Sequence, residues 1–181
     1  NPRIKPVPEA YINAVEEYVL LPVWGAIRFQ LATGARPGEA LIIRGCDLDM
    51  SGPIWTYTPE SHKTEHHGKD RTICIGPKGQ AVIREFLDTD LQSYLFGTKR
   101  SKRQKPYRRD SYTTAVARGC VAANVPGWSP NRLRHNFATI SKKHFGIEMT
   151  RASLGHSSAV TSEIYAEQDI DSARAVVAKI G

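Results

Sequence analysis

Prolines and glycines divide this chain into short helical segments, and this division limits the fold more than any other feature of the sequence. Pro8, Pro22 and Pro37 each stand at the start of a predicted helix, where proline is favoured because the first N–H groups have no helical partner. Gly34 is a predicted helix end, because glycine readily adopts the left-handed conformation that closes many helices. Arg36 therefore falls in a tight turn between two predicted helices.

Two stretches between the helical segments favour strands instead. Residues 54–58 and 71–75 are rich in β-branched and aromatic side chains, and the hydrophilic residues 60–70 between them suit a turn. Gly76 and Pro77 end the second stretch, and residues 80–87 again have the pattern of a helix. The sequence therefore predicts a small antiparallel hairpin beside the helices.

The second half of the chain is predicted to be helical. Asp110 is a candidate cap for a helix that continues to about Ala123. Ser129 and Pro130 indicate the start of another helix, which runs to about His144. Shorter helices are predicted at residues 148–154, 160–166 and 170–180. The predicted fold class is therefore mainly α with a small antiparallel β-sheet (α+β), in one domain.

The helix that follows Pro130 is predicted to have two different faces, by the spacing i, i+3, i+4, i+7. The polar face carries Asn131, Arg134, His135 and Ala138. The apolar face carries Leu133, Phe137 and Ile140. We expect the apolar face to pack and the other face to present its polar groups.

The positive charge of the chain is concentrated in one segment. The formal net charge is +7, and basic side chains with no acid among them lie close together at Lys99, Arg100, Lys102, Arg103, Lys105, Arg108 and Arg109. The remainder of the chain carries 18 acidic side chains and an equal number of basic ones. Such a basic segment is typical of a surface that binds a polyanion such as DNA, although a solvated loop would look the same.

Composition excludes several classes of protein. No apolar run approaches the roughly 18 residues of a membrane helix and no signal peptide is recognisable, so a cytoplasmic, DNA-associated protein is predicted. The three cysteines lie far apart without a CxxC pair, which favours neither disulfides nor a zinc site. Histidines in the predicted turn lack a matching set of cysteines or carboxylates, so no metal and no cofactor are predicted.

Two arginines and a tyrosine point to chemistry at a phosphodiester. Arg36 and Arg134 can form a clamp, because a planar guanidinium donates two hydrogen bonds to a pair of phosphate oxygens and stays charged. Tyr165 is the candidate nucleophile, with neighbouring positive charge favouring its deprotonation during attack. The leaving sugar oxygen needs a proton, which a lysine on the predicted hairpin can supply.

In these motifs the chain resembles the tyrosine recombinase (phage integrase) family. The matching segments follow the family order and extend from about residue 8 to residue 168. They are Thr-Gly-Ala-Arg-Pro-Gly-Glu at 33–39, His-Lys-Thr at 62–64, Asn-Arg-Leu-Arg-His-Asn-Phe-Ala-Thr at 131–139, Leu-Gly-His at 154–156, and Tyr165. Each motif is weak alone, and their common order makes the resemblance specific.

The resemblance implies a catalytic domain that cuts one DNA strand through a transient 3′-phosphotyrosyl bond and uses neither a metal nor a nucleotide. It implies that Arg36 and Arg134 bind the scissile phosphate while Tyr165 attacks it. It also implies that Lys63 is the general acid and that His156 donates a hydrogen bond to the phosphate.

Several positions leave alternatives open. Asn131 stands where the family usually has a histidine, and an amide cannot titrate near neutrality. His135 fits either a catalytic role or a structural hydrogen bond. Lys69 lies near the opposite strand and competes with Lys63 for the role of general acid. Glu39 is implied to orient the catalytic groups, although a carboxylate is also favoured at any helix start.

The resemblance also bears on assembly and on alternative functions. It implies double-stranded DNA as the partner and a homo-oligomer, a tetramer, on a DNA synapse, with a monomer allowed for the isolated domain. Residues 1–181 are expected to be a catalytic domain without the amino-terminal DNA-binding domain of relatives, and residues 170–180 to pack on a neighbouring protomer. A type IB topoisomerase and a non-catalytic DNA-binding regulator stay open as other functions.

Overall fold

Helices form most of the described structure, and a small sheet lies among them. The computed structural model describes residues 5–59, 71–98, 105–155 and 163–181, with the backbone alone for residues 163–169. The α-helices are α1 (Glu9–Ala14), α2 (Leu21–Thr33), α3 (Pro37–Leu41), α4 (Pro77–Phe86), α5 (Arg109–Ala122), α6 (Asn131–Leu154) and α7 (Glu163–Ile180), and two short 3-10 helices cover Glu16–Tyr18 and Gly45–Asp47. The strands are β1 (Leu48–Asp49), β2 (Trp55–Tyr57) and β3 (Ile73–Ile75). The predicted fold class is confirmed.

Helix α2 ends where the sequence predicts. Pro22 lies in its first turn, and Gly34 closes the helix with a φ of +67°. A Cβ atom at Gly34 would lie 2.6 Å from a ring carbon of Phe137 and 2.9 Å from a methyl carbon of Leu154. Both the backbone angle and the available space therefore require glycine. This close contact brings two parts of α6 against the end of α2.

The sheet is antiparallel, with its strands in the order β1-β2-β3. Trp55 pairs with Ile75 and Tyr57 pairs with Ile73, which confirms the predicted hairpin, although both strands are shorter than predicted. Strand β1 is not predicted by the sequence, because its two residues are too few to show alternation. The predicted turn at residues 60–70 lies outside the described residues.

Two predicted helix caps are wrong. Helix α5 has Arg108 at its N-cap position and Asp110 in its first turn, where the carboxylate still faces the positive end of the helix. Helix α6 has Pro130 at its N-cap position, and neither helix start has a side-chain cap hydrogen bond. The carbonyl of Ser129 instead accepts the N–H of Arg132 at 2.9 Å, because proline already holds a helical φ there.

The long helix α6 is broken at Gly146, where φ is 81° and ψ is −179°. This break agrees with the predicted helix end before Gly146 and with a separate helical segment at residues 148–154. Helix α7 differs from the prediction, because one helix replaces the two segments predicted at 160–166 and 170–180. No glycine or proline occurs between residues 163 and 180, so no strong signal in the sequence stops the helix.

The second half of α7 packs against its own chain. Val176 and Val177 are buried in a cluster that includes Leu154 of α6. The carbonyl of Gly181, directly after the helix, accepts the N–H of Lys78 at 2.7 Å. The predicted packing of residues 170–180 on a neighbouring protomer therefore requires that this helix first leave its own domain.

A buried polar network fixes the turn that follows α2. Gln30 is fully buried, and its Nε2 donates to the carbonyl of Ala35 at 3.0 Å and to that of Pro130 at 3.4 Å. The hydroxyl of Tyr112 donates to Oε1 of Gln30 at 2.8 Å, and burial raises the pKa of that phenol. These bonds connect the turn to α5 and to the start of α6, so the parts of the predicted arginine clamp are held together.

Candidate active site

Arg36 lies in the tight turn that the sequence predicts. It precedes α3, and its backbone N–H donates to Oε2 of Glu39 at 2.6 Å. Its Nη1 donates to Oε1 of the same carboxylate at 2.8 Å. The side chain is 50% exposed, so Glu39 orients the guanidinium while half of the side-chain surface stays open to solvent.

Arg134 lies in the first turn of α6 and is buried, with 8% of its surface exposed. Its Nη1 donates to the carbonyl of Gly34 and its Nη2 to the carbonyl of Leu154, each at 2.7 Å. Burial, with smaller contributions from the charges of Arg71 and Arg36, lowers the pKa of Arg134 to about 9. The guanidinium therefore stays protonated at neutral pH and ties the end of α2 to the end of α6.

The two predicted faces of α6 are only partly confirmed. Leu133 and Phe137 are buried as predicted, but Ile140 is 47% exposed. On the predicted polar face Asn131 is exposed, whereas Arg134 is buried. The reason is that the guanidinium of Arg134 reaches inward to backbone carbonyls rather than outward to solvent.

Arg71 is a member of the site that the sequence patterns did not reveal. It stands just before β3, and its Nε lies 3.4 Å from Oε1 of Glu39. Burial is the main cause that lowers the pKa of Arg71 to about 10, while the charge of Glu39 acts in the opposite direction. Alternation along the predicted strand 71–75 could have indicated it, because that pattern assigns Arg71 to the same face as Ile73 and Ile75, which are core residues.

Arg36, Arg71, Arg134 and Glu39 together form a group that we call the arginine cluster. Among the described residues, Glu39 is the carboxylate whose charge acts on both Arg71 and Arg134. Its Oε1 is shared between Arg36 and Arg71. Within the described part of the chain, the charge of one carboxylate thus acts on three guanidinium groups, and a cluster of this kind is suited to bind an anion.

Three further parts of the predicted site lie on described elements: Asn131, His135 and the Leu154–Gly155 pair. Asn131 and His135 flank Arg134 on α6, and His135 is half-buried. Gly155 closes α6 with a φ of +62°, and a Cβ atom there would lie 3.4 Å from Cγ and Cδ of Arg71. The Leu154–Gly155 part of the fourth motif therefore borders the cluster.

Several predicted site residues lie outside the described side chains. Tyr165 lies in the first part of α7, residues 163–169, of which the backbone alone is described. The remaining predicted residues outside the described ranges are Lys63, Lys69, His156, Lys99, Arg100, Lys102 and Arg103.

The described end of the basic segment lies beside α3. Lys105, Arg108 and Arg109 are exposed, and the last two stand at the start of α5, where the helix dipole disfavours cations. A Cβ atom at Gly38 would lie 3.7 Å from Cδ of Arg109. Since Gly38 follows Arg36 by two residues, the described end of the basic segment lies near the exposed member of the arginine cluster.

The described ranges hold neither a metal-binding cluster nor a membrane-spanning helix. No group of three or more His, Cys, Asp or Glu side chains gathers there in an arrangement that could hold a metal ion. No helix in the same ranges is long and apolar enough to cross a membrane. The cysteines are free thiols, of which Cys74 and Cys120 are buried and Cys46 is exposed.

Comparison with known sequences identifies relatives over most of the chain. The profile of the phage integrase family matches residues 10–171. The chain is 27% identical over 150 residues to the tyrosine recombinase XerD of Corynebacterium glutamicum, a match that covers 80% of this chain and 47% of that protein. The chain therefore spans about half the length of the curated relative it matches.

Comparison with solved structures shows the same fold. An integrase from mycobacterium phage Brujita superposes with a TM-score of 0.69 at 16% identity, over 98% of this chain and 58% of that one. The Tn1549 transposon integrase in complex with circular intermediate DNA gives a TM-score of 0.67 at 15% identity, over 94% and 67% of the two chains. The XerH site-specific recombinase bound to difH substrate gives a TM-score of 0.61 at 19% identity, over 87% of this chain and 47% of that one.

Proposed function

The chain belongs to the phage integrase family, and from this premise we propose that it cuts and rejoins DNA strands site-specifically, with its arginine cluster around the scissile phosphate. The observation that carries the proposal is the convergence of three guanidinium groups on Glu39: among the described residues Arg36 and Arg71 pair with its carboxylate, and its charge also acts on Arg134. A phosphodiester supplies negative charge to this site. Displacement at phosphorus concentrates further charge on the non-bridging oxygens, which guanidinium groups stabilise.

In the proposed reaction the phenolic oxygen of Tyr165 attacks phosphorus, and the bond from phosphorus to the 5′ oxygen breaks. The phenol proton passes to water or to a neighbouring base. The 5′ oxygen leaves as a hydroxyl after it takes a proton from Lys63, or from Lys69 as the second candidate. Attack by the 5′ hydroxyl of another strand on the 3′-phosphotyrosyl bond reverses these steps. One phosphate ester replaces another at each step, so no nucleotide is consumed.

The remaining roles follow from exposure and position. Arg36 is half exposed and is proposed to donate directly to a non-bridging oxygen, held in place by Glu39. Arg134 is proposed to complete the clamp from the inner side. His156, next to Gly155 in the chain, is proposed as a further hydrogen-bond donor to the phosphate.

Double-stranded DNA is the proposed partner, and the basic segment at residues 99–109 is proposed to contact the phosphates that flank the cut. In support of this, Arg109 at the described end of the segment lies beside Gly38 of α3, two residues from Arg36. We further propose that residues 1–181 act as one catalytic domain and that several protomers assemble on the DNA synapse.

Covalent trapping on a pool of random-sequence duplexes tests the proposed function. Each duplex carries a nick, so that cleavage next to the nick releases a short fragment and prevents resealing. We expect a protein–DNA adduct that withstands denaturant, disappears after protease treatment and is absent for Tyr165→Phe. Sequencing of the adducts then gives the preferred site.

The same experiment separates the two other functions. Retarded DNA without any adduct would identify a non-catalytic DNA-binding protein. Adducts without sequence preference, together with relaxation of supercoiled plasmid, would identify a topoisomerase.

Asn131 provides a prediction about proton transfer. Asn131→His is expected to raise the rate of single-turnover cleavage about tenfold, because a positioned imidazole can accept the phenol proton and an amide cannot. The variant should also acquire a dependence of rate on pH near about 6.5, the ordinary pKa of histidine. Asn131→Gln is the control, since it keeps an amide. Equal rates for Asn131→His and the parent from about pH 5.5 to 8.5 would argue against a proton-transfer role for this position.

A further inference from the structure

Arg71 is held in an environment that is unfavourable for a guanidinium group. All three of its nitrogens are buried, and within the described ranges none of them has a hydrogen-bond partner. A guanidinium carries five N–H donors, and a buried charge without acceptors destabilises a fold. Burial accordingly lowers the pKa of Arg71 to about 10. A side chain that served stability alone would not be expected to leave so many donors unsatisfied.

The surroundings of Arg71 connect it to the site. Its Nε lies 3.4 Å from Oε1 of Glu39, the oxygen that also accepts Nη1 of Arg36 at 2.8 Å. Its aliphatic stem passes close to Gly155, where a side chain would meet Cγ and Cδ at 3.4 Å. Arg71 therefore lies behind the carboxylate that holds Arg36.

We propose that Arg71 is a positioning residue for the phosphate, which acts through Glu39 and through its own charge rather than by direct contact. From the inner side its charge holds Glu39 in place, so that Glu39 presents the half-exposed guanidinium of Arg36 to the anion. Because Arg71 is buried, its charge is weakly screened and adds to the positive potential that the phosphate meets. This inference rests on the proposed function for its role in strand cleavage.

A positioning role and a structural role predict opposite effects on stability. Arg71→Met removes a buried charge with unsatisfied donors, while Glu39 keeps its bonds to Arg36. We expect the Tm of this variant to rise by about 2–4 °C, as replacement of buried charges by apolar groups often stabilises a protein. We expect its cleavage rate on the trapped duplex to fall about tenfold. Arg71→Lys keeps the charge and is expected to recover most of that rate.

Inorganic phosphate provides a probe that does not depend on DNA chemistry. Thermal unfolding is measured with rising phosphate at constant ionic strength, for the parent protein, Arg71→Met, Arg71→Lys and Arg28→Met. Arg28 is the matched control, because its guanidinium pairs with Glu85 on the surface. We expect phosphate to raise the Tm of the parent protein, of Arg28→Met and of Arg71→Lys. The increase in Tm for Arg71→Met should be at most about half of the increase for the parent protein.

Two outcomes would overturn the inference. In the first, Arg71→Met is less stable than the parent and responds equally to phosphate, which would make Arg71 an ordinary structural ion pair. In the second, Arg71→Met cleaves DNA as fast as the parent. The phosphate titration still reports on Arg71 if no adduct forms with any variant, so failure of the proposed function and failure of this inference are distinguishable.

Discussion

Arg134→Ala is expected to reduce strand cleavage by about 10³-fold and to lower the free energy of unfolding by about 2–4 kcal/mol. The catalytic loss follows from removal of one side of the phosphate clamp. The loss of stability follows because the carbonyls of Gly34 and Leu154 each lose a donor at 2.7 Å in a buried environment. Single-turnover cleavage and urea unfolding measure the two effects separately.

Arg132→Ala is the matched control for that prediction. Arg132 lies in the same helix turn and also donates to backbone carbonyls, those of Lys5 and Pro6. Arg132 lies outside the arginine cluster, so we expect the cleavage rate of Arg132→Ala to stay within about threefold of the rate of the parent protein. An Arg134→Ala variant that cleaves as fast as Arg132→Ala would contradict the proposed clamp.

Glu39→Gln is expected to reduce cleavage by about 10²-fold and to lower the free energy of unfolding by about 1–3 kcal/mol. The substitution keeps the shape of the side chain but removes the negative charge that Arg36 and Arg71 share. Three guanidinium groups would then repel one another, and the hydrogen bonds that the backbone N–H and Nη1 of Arg36 donate to residue 39 would no longer be charge-assisted.

Glu85→Gln is the control for the loss of a carboxylate. Glu85 pairs with Arg28 through two hydrogen bonds, but both side chains are partly exposed. Exposed ion pairs contribute about 0–1 kcal/mol, and this pair is not part of the cluster. Cleavage by Glu85→Gln should therefore equal that of the parent protein. Similar losses for the two variants would mean that Glu39 has no special role.

The position of Arg36 could be predicted because local signals define it. Gly34 and Pro37 mark a helix end and a helix start within four residues, and the structure confirms the turn between them. The burial of Arg134 could not be predicted in this way. Its acceptors, Gly34 and Leu154, lie 100 and 20 residues away in the sequence, so only tertiary packing brings them together.

The role of Arg71 could not be predicted, for a related reason. Strand propensity describes residues 71–75 well, yet the structure starts β3 at Ile73 and leaves Arg71 outside the ladder. Its significance depends on Glu39 and Gly155, which come from two distant motifs. The periodicity of the strand could have indicated an inward-facing charge, but its partners could be found only from the folded chain.

Predictions about helix ends failed where two signals competed. Ser129 is a favoured cap residue, but the fixed φ of Pro130 forms a turn first and moves the cap position to the proline. For α7 two separate segments are predicted, at residues 160–166 and 170–180. The absence of glycine and proline proved the stronger signal, and the buried Val176 and Val177 anchor a single helix.

The most direct measurement of the central claim compares a charged with a neutral scissile phosphate. The duplex that carries the preferred site from the trapping experiment is prepared in two forms, with an ordinary phosphodiester or with an uncharged methylphosphonate at the cut. The cleavage rate of each form is measured for the parent protein and for Arg36→Ala. If the cluster binds the oxyanion, the defect of Arg36→Ala should be about 10²–10³-fold on the phosphodiester and at least about tenfold smaller on the methylphosphonate. An equal defect on both substrates would show that the excess positive charge of the cluster does not act on the phosphate.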